Sequence, residues 1–343
     1  MKALQIKEPG RIEPVQMSEP EVQPGEVLLR LSYVGFCGSD LNTWLGRNAM
    51  AQMPVIPGHE IGAVVVKAGA GCPSELREGL TVTVNPYTSC GQCAACRRGR
   101  SNACQHNETL GVQRQGTMRE FISLPWQKVI PTKGISTRDA ALIEPMSVGF
   151  HAVGRGEVSD TDFVVVIGCG MVGMGAIVRS ALRGATVIAV DLSEEKLSLA
   201  RKAGAHFGIN SKDEDVLQRV MDITGGFGAD VVIEAVGSPA TYRSAIDLVS
   251  FTGRVVCIGY AKSEVSFQTR LFVQKELDIR GSRNAMPEDF RAVLRFMQQG
   301  RMSMDPFVSA VVKPEQAQDA MQKWAEAPAK VFRILVQFEQ HEL

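Results

Sequence analysis

Four cysteines, Cys90, Cys93, Cys96 and Cys104, stand in the run CGQCAACRRGRSNAC. The spacing C-x2-C-x2-C-x7-C lets four thiolates close tetrahedrally on one zinc ion. A zinc closed in that way has no position left for water or substrate, so its expected work is mechanical: it holds a lobe of chain in shape. An iron-sulfur cluster also takes four thiolates, and a redox disulfide pair uses the same residues; both remain alternatives on spacing alone.

The 343 residues are too many for one ordinary hydrophobic core, which predicts two domains. Lys plus Arg and Asp plus Glu are 37 each and no basic or acidic block stands out, so nothing points to nucleic acid or an anionic membrane as partner. The start MKALQIKEPGRIEPV lacks a cationic stretch followed by an apolar one, and no segment approaches the ~20 apolar residues of a bilayer span. A cytoplasmic location is expected, with reduced thiols. The other cysteines besides Cys37, namely Cys72, Cys169 and Cys257, read as small buried apolar residues.

Residues 1 to about 150 are rich in Gly and Pro and carry short apolar runs, EVLLRLSYVG, EIGAVVVKAG and LTVTVNP, with the signature of strands bounded by turns. From Phe163 the texture changes to strand, Gly-rich turn and helix: FVVVIG, MVGMGAIVRSALRG, TVIAVD, SEEKLSLARKAG. That alternation predicts βαβ units on a parallel sheet. ADVVIEAVG, a helical TYRSAIDLVSFTG, RVVCIGY and LDIRGSR continue it, and PEDFRAVLRFMQQGRM reads as an amphipathic helix opening just after Pro287. The last strand-like run, FRILVQF, has no following partner and is expected to return to the first domain.

GCGMVG, from Gly168 to Gly173, has the form G-x-G-x-x-G between an apolar strand and a helix. Gly168 permits the tight turn, Gly170 lets backbone approach a pyrophosphate, and Gly173 lets helix and strand pack closely. Phosphate charge would sit at the helix N-terminus. Asp191 ends the second strand, eighteen positions past Gly173, where a carboxylate accepts from both adenosine ribose hydroxyls and repels a 2′-phosphate. The expected cofactor is therefore NAD, Lys196 lying farther along the helix; a glycine-rich turn in a cofactor-free domain is the plain alternative.

Cys37 in VGFCGSD, His59 and Glu60 in PVIPGHEIG, and Glu144 in LIEPMSVGFHA supply one thiolate, one imidazole and one or two carboxylates. Such a set suits a catalytic zinc with an open position. Each taken singly has an ordinary structural explanation as well.

Together these runs resemble the zinc-dependent medium-chain dehydrogenases, in particular the polyol (sorbitol), threonine and aldonate dehydrogenase branch. The likeness spans the whole chain, with PGEVLLRLSYVGFCGSD, GHE, the four-cysteine lobe, the EP pair at Glu144 and GCGMVG in the family's order. It implies an α/β protein with a GroES-like β-barrel catalytic domain over 1–149, a doubly wound Rossmann domain over 150–286 and a C-terminal return over 287–343. It also implies two zinc ions per chain. Cys37, His59 and Glu144 look like ligands of the catalytic zinc, with Glu60 binding it directly or holding its water. Ser39 looks like the hydroxyl that passes on the substrate proton. Met171, Val172, Ile258, Gly259 and Arg283 join the glycines and Asp191 as cofactor contacts. Where relatives often carry a histidine at the outer end of the proton relay, this chain has Asn42, which takes up no proton near neutrality, and the terminal base is left unassigned.

The expected reaction is hydride transfer between a secondary alcohol and NAD, the metal stabilising the alkoxide. Asn42, Thr43 and Trp44 follow the ligand cysteine closely enough to meet substrate, though Trp44 suits ordinary packing equally. Arg283 and Asn284, in GSRNAMP, lie near the nicotinamide end in relatives, and GSRN is similar to aldonate and hexonate 5-dehydrogenases. A polyol or sugar acid is therefore the expected substrate. Threonine dehydrogenase activity and a non-catalytic zinc- and cofactor-binding scaffold are the alternatives. Relatives form dimers or tetramers, and Val255 to Phe272 is a candidate contributor to such an assembly, a homotetramer being the expectation.

Overall fold

A computed structural model of the chain describes residues 1–338. The chain divides into two compact units, Met1–Glu144 with Val293–Leu343, and Pro145–Ala292. Both junctions fall inside helices, Ile143–Arg155 and Pro287–Gln298, a few residues from the 149/150 and 286/287 divisions read from the sequence. Helical periodicity runs on through such points and carries no break to read.

The first unit is built on a seven-stranded mixed sheet. Its longest strand, Glu26–Phe36, pairs antiparallel with Glu60–Ala68, Phe121–Pro125 and Ile334–Gln337. The last of these is the FRILVQF run, which is thereby tied to the strand that delivers Cys37. Val27, Leu29 and Leu31 alternate inward; a register shift between Leu31 and Tyr33 then changes the phase, so that Val34 and Phe36 are the buried positions. The shift decides which way the chain leaves the strand at Cys37. A separate hairpin, Lys2–Glu8 with Arg11–Gln16, completes the unit.

The second unit is a six-stranded parallel sheet. In spatial order the strands are Phe207–Asn210, Thr186–Asp191, Phe163–Ile167, Ala229–Glu234, Val249–Cys257 and Asp278–Gly281. Numbered along the chain this is 3-2-1-4-5-6, the doubly wound arrangement, with its switch point between Phe163–Ile167 and Ala229–Glu234. Val164, Val165 and Val166 are fully buried, as continuous apolar runs covered on both faces must be. The helix read over TYRSAIDLVSFTG ends at Leu248, and a strand begins at Val249. Val249 pairs with Ala229, and Thr252 takes a left-handed φ of 58°, so tertiary pairing overrides the local helical pattern there. Among the described residues no helix is long and apolar enough to cross a membrane.

Candidate active site

Cys37 leaves the long strand and caps the helix Gly38–Trp44 in extended geometry. Asp40, fully buried in the first turn, accepts from the Cys37 backbone N–H at 2.8 Å and from the Gly58 N–H at 3.3 Å. One carboxylate thus ties the turn carrying Cys37 to the turn carrying His59. Gly58 has a φ of +97°, which few residues other than glycine accept, and the chain turns there to present His59. Glu60 opens its strand opposite Gly35, where a Cβ would lie 2.2 Å from Glu60 Oε2. Only glycine at 35 leaves the carboxylate its place.

The ligand atoms of Cys37, His59 and Glu60 lie within 4.8 Å of one another. His59 is 5% exposed and Glu60 is fully buried. His59 Nδ1 and both oxygens of Glu60 have no hydrogen-bond partner. Buried polar atoms are rarely left so. Thiolate, imidazole and carboxylate with orphaned acceptors fit a zinc ion that keeps a position open.

Charge in this pocket is coupled through burial. Burial opposes a charged His59, but Cys37, by charge and hydrogen bond, and then Glu144 and Asp40 raise its pKa well above the ordinary imidazole value. Burial also pushes the Cys37 thiol up, and His59 and Arg333 more than offset it, leaving the thiol below its usual range. Glu60 is driven well above the usual carboxylate range by desolvation, which Arg333 only partly opposes. Arg333 Nε lies 3.0 Å from Glu60 Oε2, with the two side chains 6% and 0% exposed. The angle falls short of a hydrogen bond, so the pair attracts as charges and leaves the Glu60 lone pairs unspent. Arg333 itself is fixed by donating to the Phe36 carbonyl at 2.7 Å.

Glu144 stands outside that trio. It is 4% exposed, and its Oε1 accepts a short hydrogen bond from the Tyr87 hydroxyl. Desolvation and Glu144 hold the Tyr87 phenol well above its usual pKa, so it stays a donor. Glu60 thus meets Cys37 and His59, as a direct ligand would, while Glu144 is held by Tyr87 and acts by charge on both His59 and Glu60. Ser39 Oγ is buried without a partner, two residues beyond Cys37. Trp44 is 7% exposed and joins the hydrophobic core of the unit, the packing role the sequence allowed. Asp40, Tyr87 and Arg333 were not singled out by sequence. Their only local signals are polar residues at the edges of CGSD, VNPYTSC and FRILVQF.

The other four cysteines also converge, their sulfurs within 4.8 Å of one another. Cys93 Sγ and Cys104 Sγ are 3.9 Å apart. Four sulfurs tetrahedral about zinc at ~2.3 Å would be separated by about 3.8 Å. Backbone N–H groups of Cys90 and His106 point at Cys104 Sγ, each at 3.3 Å, and that of Cys93 at Cys90 Sγ, also at 3.3 Å. Backbone donors from Cys96 and Gln105 bring the Cys93 thiol down to about 6, while burial pushes Cys96 up to about 11. Of the remaining cysteines Cys169 is buried, whereas Cys72 and Cys257, expected to be buried too, are partly exposed.

In the second unit the cofactor candidates gather at the carboxyl ends of the strands. Gly168 follows Phe163–Ile167 with a φ of +94°, and Gly170 precedes the helix Met171–Leu182, whose first residues are Met171 and Val172. A Cβ on Gly173 would lie 1.8 Å from the Gly168 carbonyl, whereas one on Gly170 would meet nothing within 4 Å. The third glycine is needed for packing, and the second leaves open space where a pyrophosphate would approach. Asp191 ends its strand and accepts from the Cys169 N–H at 2.7 Å and the Ser193 N–H at 3.0 Å. Ile258 and Gly259 donate to the Glu234 carbonyl at 2.9 and 3.3 Å, which places them beyond the neighbouring strand ends. Arg283 and Asn284 follow Asp278–Gly281, Asn284 in the left-handed region at φ 55°. These positions surround the switch point, and they fit a dinucleotide.

Two family models match the chain: the alcohol dehydrogenase GroES-like domain over residues 23–134 and the zinc-binding dehydrogenase over 172–299. L-Galactonate-5-dehydrogenase of Escherichia coli K12 is 33% identical over 89% of this chain and 89% of its own length. Sorbitol dehydrogenase of Halalkalibacterium halodurans is 30% identical over 90% of this chain and 92% of its own. A crystal structure of an Escherichia coli CFT073 protein, described as a short chain alcohol dehydrogenase in complex with NADH, superposes with a TM-score of 0.89 at 26% identity, covering 98% of this chain and 99% of that one.

Proposed function

This chain belongs to the zinc-dependent medium-chain alcohol dehydrogenases, and from that premise we propose that it interconverts a secondary alcohol of a polyol or sugar acid and the ketone, with NAD as hydride carrier. The observation that carries the reading is the meeting of Cys37, His59 and Glu60 within 4.8 Å, with buried acceptors left unpaired. When bound, zinc supplies Lewis acidity toward an alcohol oxygen, and NAD supplies a hydride acceptor.

The chain's own residues supply the rest. Cys37 and His59 would hold the ion, with Glu60 and Glu144 as its carboxylates. The Tyr87 hydroxyl holds Glu144 in place, and Arg333 partly offsets the burial that opposes a charge on Glu60. Ser39 Oγ, buried and unpartnered, would pass on the alcohol proton. Asn42 takes up no proton near neutrality, so the terminal base of the relay is left unassigned. Cys90, Cys93, Cys96 and Cys104 would hold the structural ion. Gly168, Gly170 and Gly173 would cradle the pyrophosphate, and Asp191 would select NAD by accepting from the ribose hydroxyls.

The substrate class rests on the galactonate and sorbitol relatives and on GSRN, Gly281 to Asn284. NAD reduction measured across hexitols, hexonates, L-threonine and primary alcohols tests it. Turnover of secondary alcohols on the sugar-derived chains is expected; reaction of primary alcohols alone, or of L-threonine best, would overturn it. Fluorescence titration should give tighter binding of NADH than of NADPH. We read the protein as cytoplasmic and as a homo-oligomer. Asp278–Gly281 ends its sheet, its Ile279 is 48% exposed, and Val273 in the preceding helix is 83% exposed. Light scattering after size exclusion tests the assembly.

A further inference from the structure

Three cations of the first unit have no role in the site described above. Arg114 lies in a segment strapped to both sides of the metal site by backbone hydrogen bonds. Leu110 N–H donates to the Pro86 carbonyl at 3.1 Å, beside Tyr87. Gly116 N–H donates to Ile56 at 2.6 Å and Met118 N–H to Pro57 at 3.0 Å, just before His59. The Arg114 carbonyl closes the turn by accepting from Gly111 at 2.8 Å. Lys128 Nζ donates to the Tyr87 carbonyl at 2.6 Å, so it stands against the residue that holds Glu144. Arg119 follows Met118 directly.

These charges are poorly provided for. The Nε atoms of Arg114 and Arg119 are buried without a hydrogen-bond partner, while both residues are half-buried. Burial lowers the pKa of all three cations, and the charge of Arg114 lowers Arg119 and Lys128 further. Glu108 alone acts on Arg114 in the opposite sense. Like charges half withdrawn from water, with unmet donors, are unfavourable unless an anion joins them. A carboxylate would offset the repulsion and offer a guanidinium fork the two acceptors it matches.

We propose that Arg114, backed by Arg119 and Lys128, forms a subsite for the carboxylate of a sugar-acid substrate, and so makes the enzyme prefer aldonates to polyols. The inference rests on the polyol and sugar-acid reading above, and narrows it. The link to the reacting site runs through Tyr87, whose carbonyl accepts from Lys128 and whose hydroxyl donates to Glu144.

L-Galactonate and galactitol differ only in a carboxylate against a hydroxymethyl group, and NAD reduction with the two separates the questions. The intact protein should show the higher kcat/KM with L-galactonate. Arg114→Gln should raise KM for L-galactonate about 10- to 100-fold with kcat little changed, and leave galactitol within about threefold. Arg114→Lys, which keeps the charge and loses the fork, should recover part of the loss. Arg119→Gln offers a second variant, expected to raise the L-galactonate KM by about threefold to tenfold. Equal loss with both substrates, no preference in the intact protein, or a preference for galactitol 1-phosphate over L-galactonate would overturn the carboxylate subsite while leaving the dehydrogenase reading in place. Turnover of neither sugar-derived substrate would remove that reading itself, and the subsite with it.

Discussion

Between Cys90 and Cys104 the chain brings four sulfurs together within a single lobe, whereas the trio at Cys37, His59 and Glu60 depends on residues as far apart as Gly35 and Arg333. In the lobe, turns and the short helix Ala94–Arg97 do the placing, and the N–H donors to sulfur come from the same stretch. Only Cys104 of the four is buried. The trio instead sits where the longest strand, the turn at Gly58 and the return strand meet, in a core that includes Phe36 and Ile61. The lobe has little besides its ion to hold its shape; the trio is placed by packing that forms for other reasons. Metal should therefore matter to folding in the first place and to chemistry in the second.

The sharpest way to break that contrast is His59→Ala. Loss of several kcal/mol of transition-state stabilisation corresponds to a fall in kcat/KM of at least about 10³-fold. Metal analysis should drop from two zinc ions per chain to one, with the circular dichroism spectrum retained. Release of both ions would show the two centres to be coupled. Arg333→Met comes next. It strands Glu60 without its counter-charge in full burial, a defect of about 3–5 kcal/mol that shows as lowered stability or as a protonated, inactive Glu60. Cys93→Ser tests the other side. The variant should lose one zinc and melt about 10 °C lower, yet turn over normally while folded. Loss of activity in step with full retention of stability would contradict the mechanical role of the lobe.

How much of each centre the sequence disclosed follows from the same contrast. Four cysteines at fixed short spacing need no knowledge of tertiary structure, and strand, glycine turn and Asp191 were equally legible because a βα unit is local. Cys37, His59, Glu60 and Glu144 were visible as residue types, but the partner of Glu144 was not: Tyr87 stands 57 positions from it in the chain. Asp40 and Arg333 stayed silent for a related reason: a buried charge in a short helix or just before a strand looks in sequence like a solvated one. Gly35 is informative only once its pairing with Glu60 is known. The helix read across TYRSAIDLVSFTG failed at Val249 because a β-strand partner, Ala229, outweighed local propensity.

The finest test of a distributed centre removes one oxygen atom. Tyr87→Phe preserves the ring and its packing but leaves Glu144, 4% exposed, without the hydroxyl that donates to it. Because Tyr87's phenol is held well above its usual pKa, the wild-type donor persists across the neutral range, and the effect of removing it should not vary there. An outer partner of this kind is worth about tenfold in metal affinity or activity. The catalytic ion should therefore exchange about tenfold faster with a chelator, and the lobe's ion at the wild-type rate. Equal acceleration at both would mean that the hydroxyl supports the unit as a whole and that Glu144 is not specifically poised on the metal site.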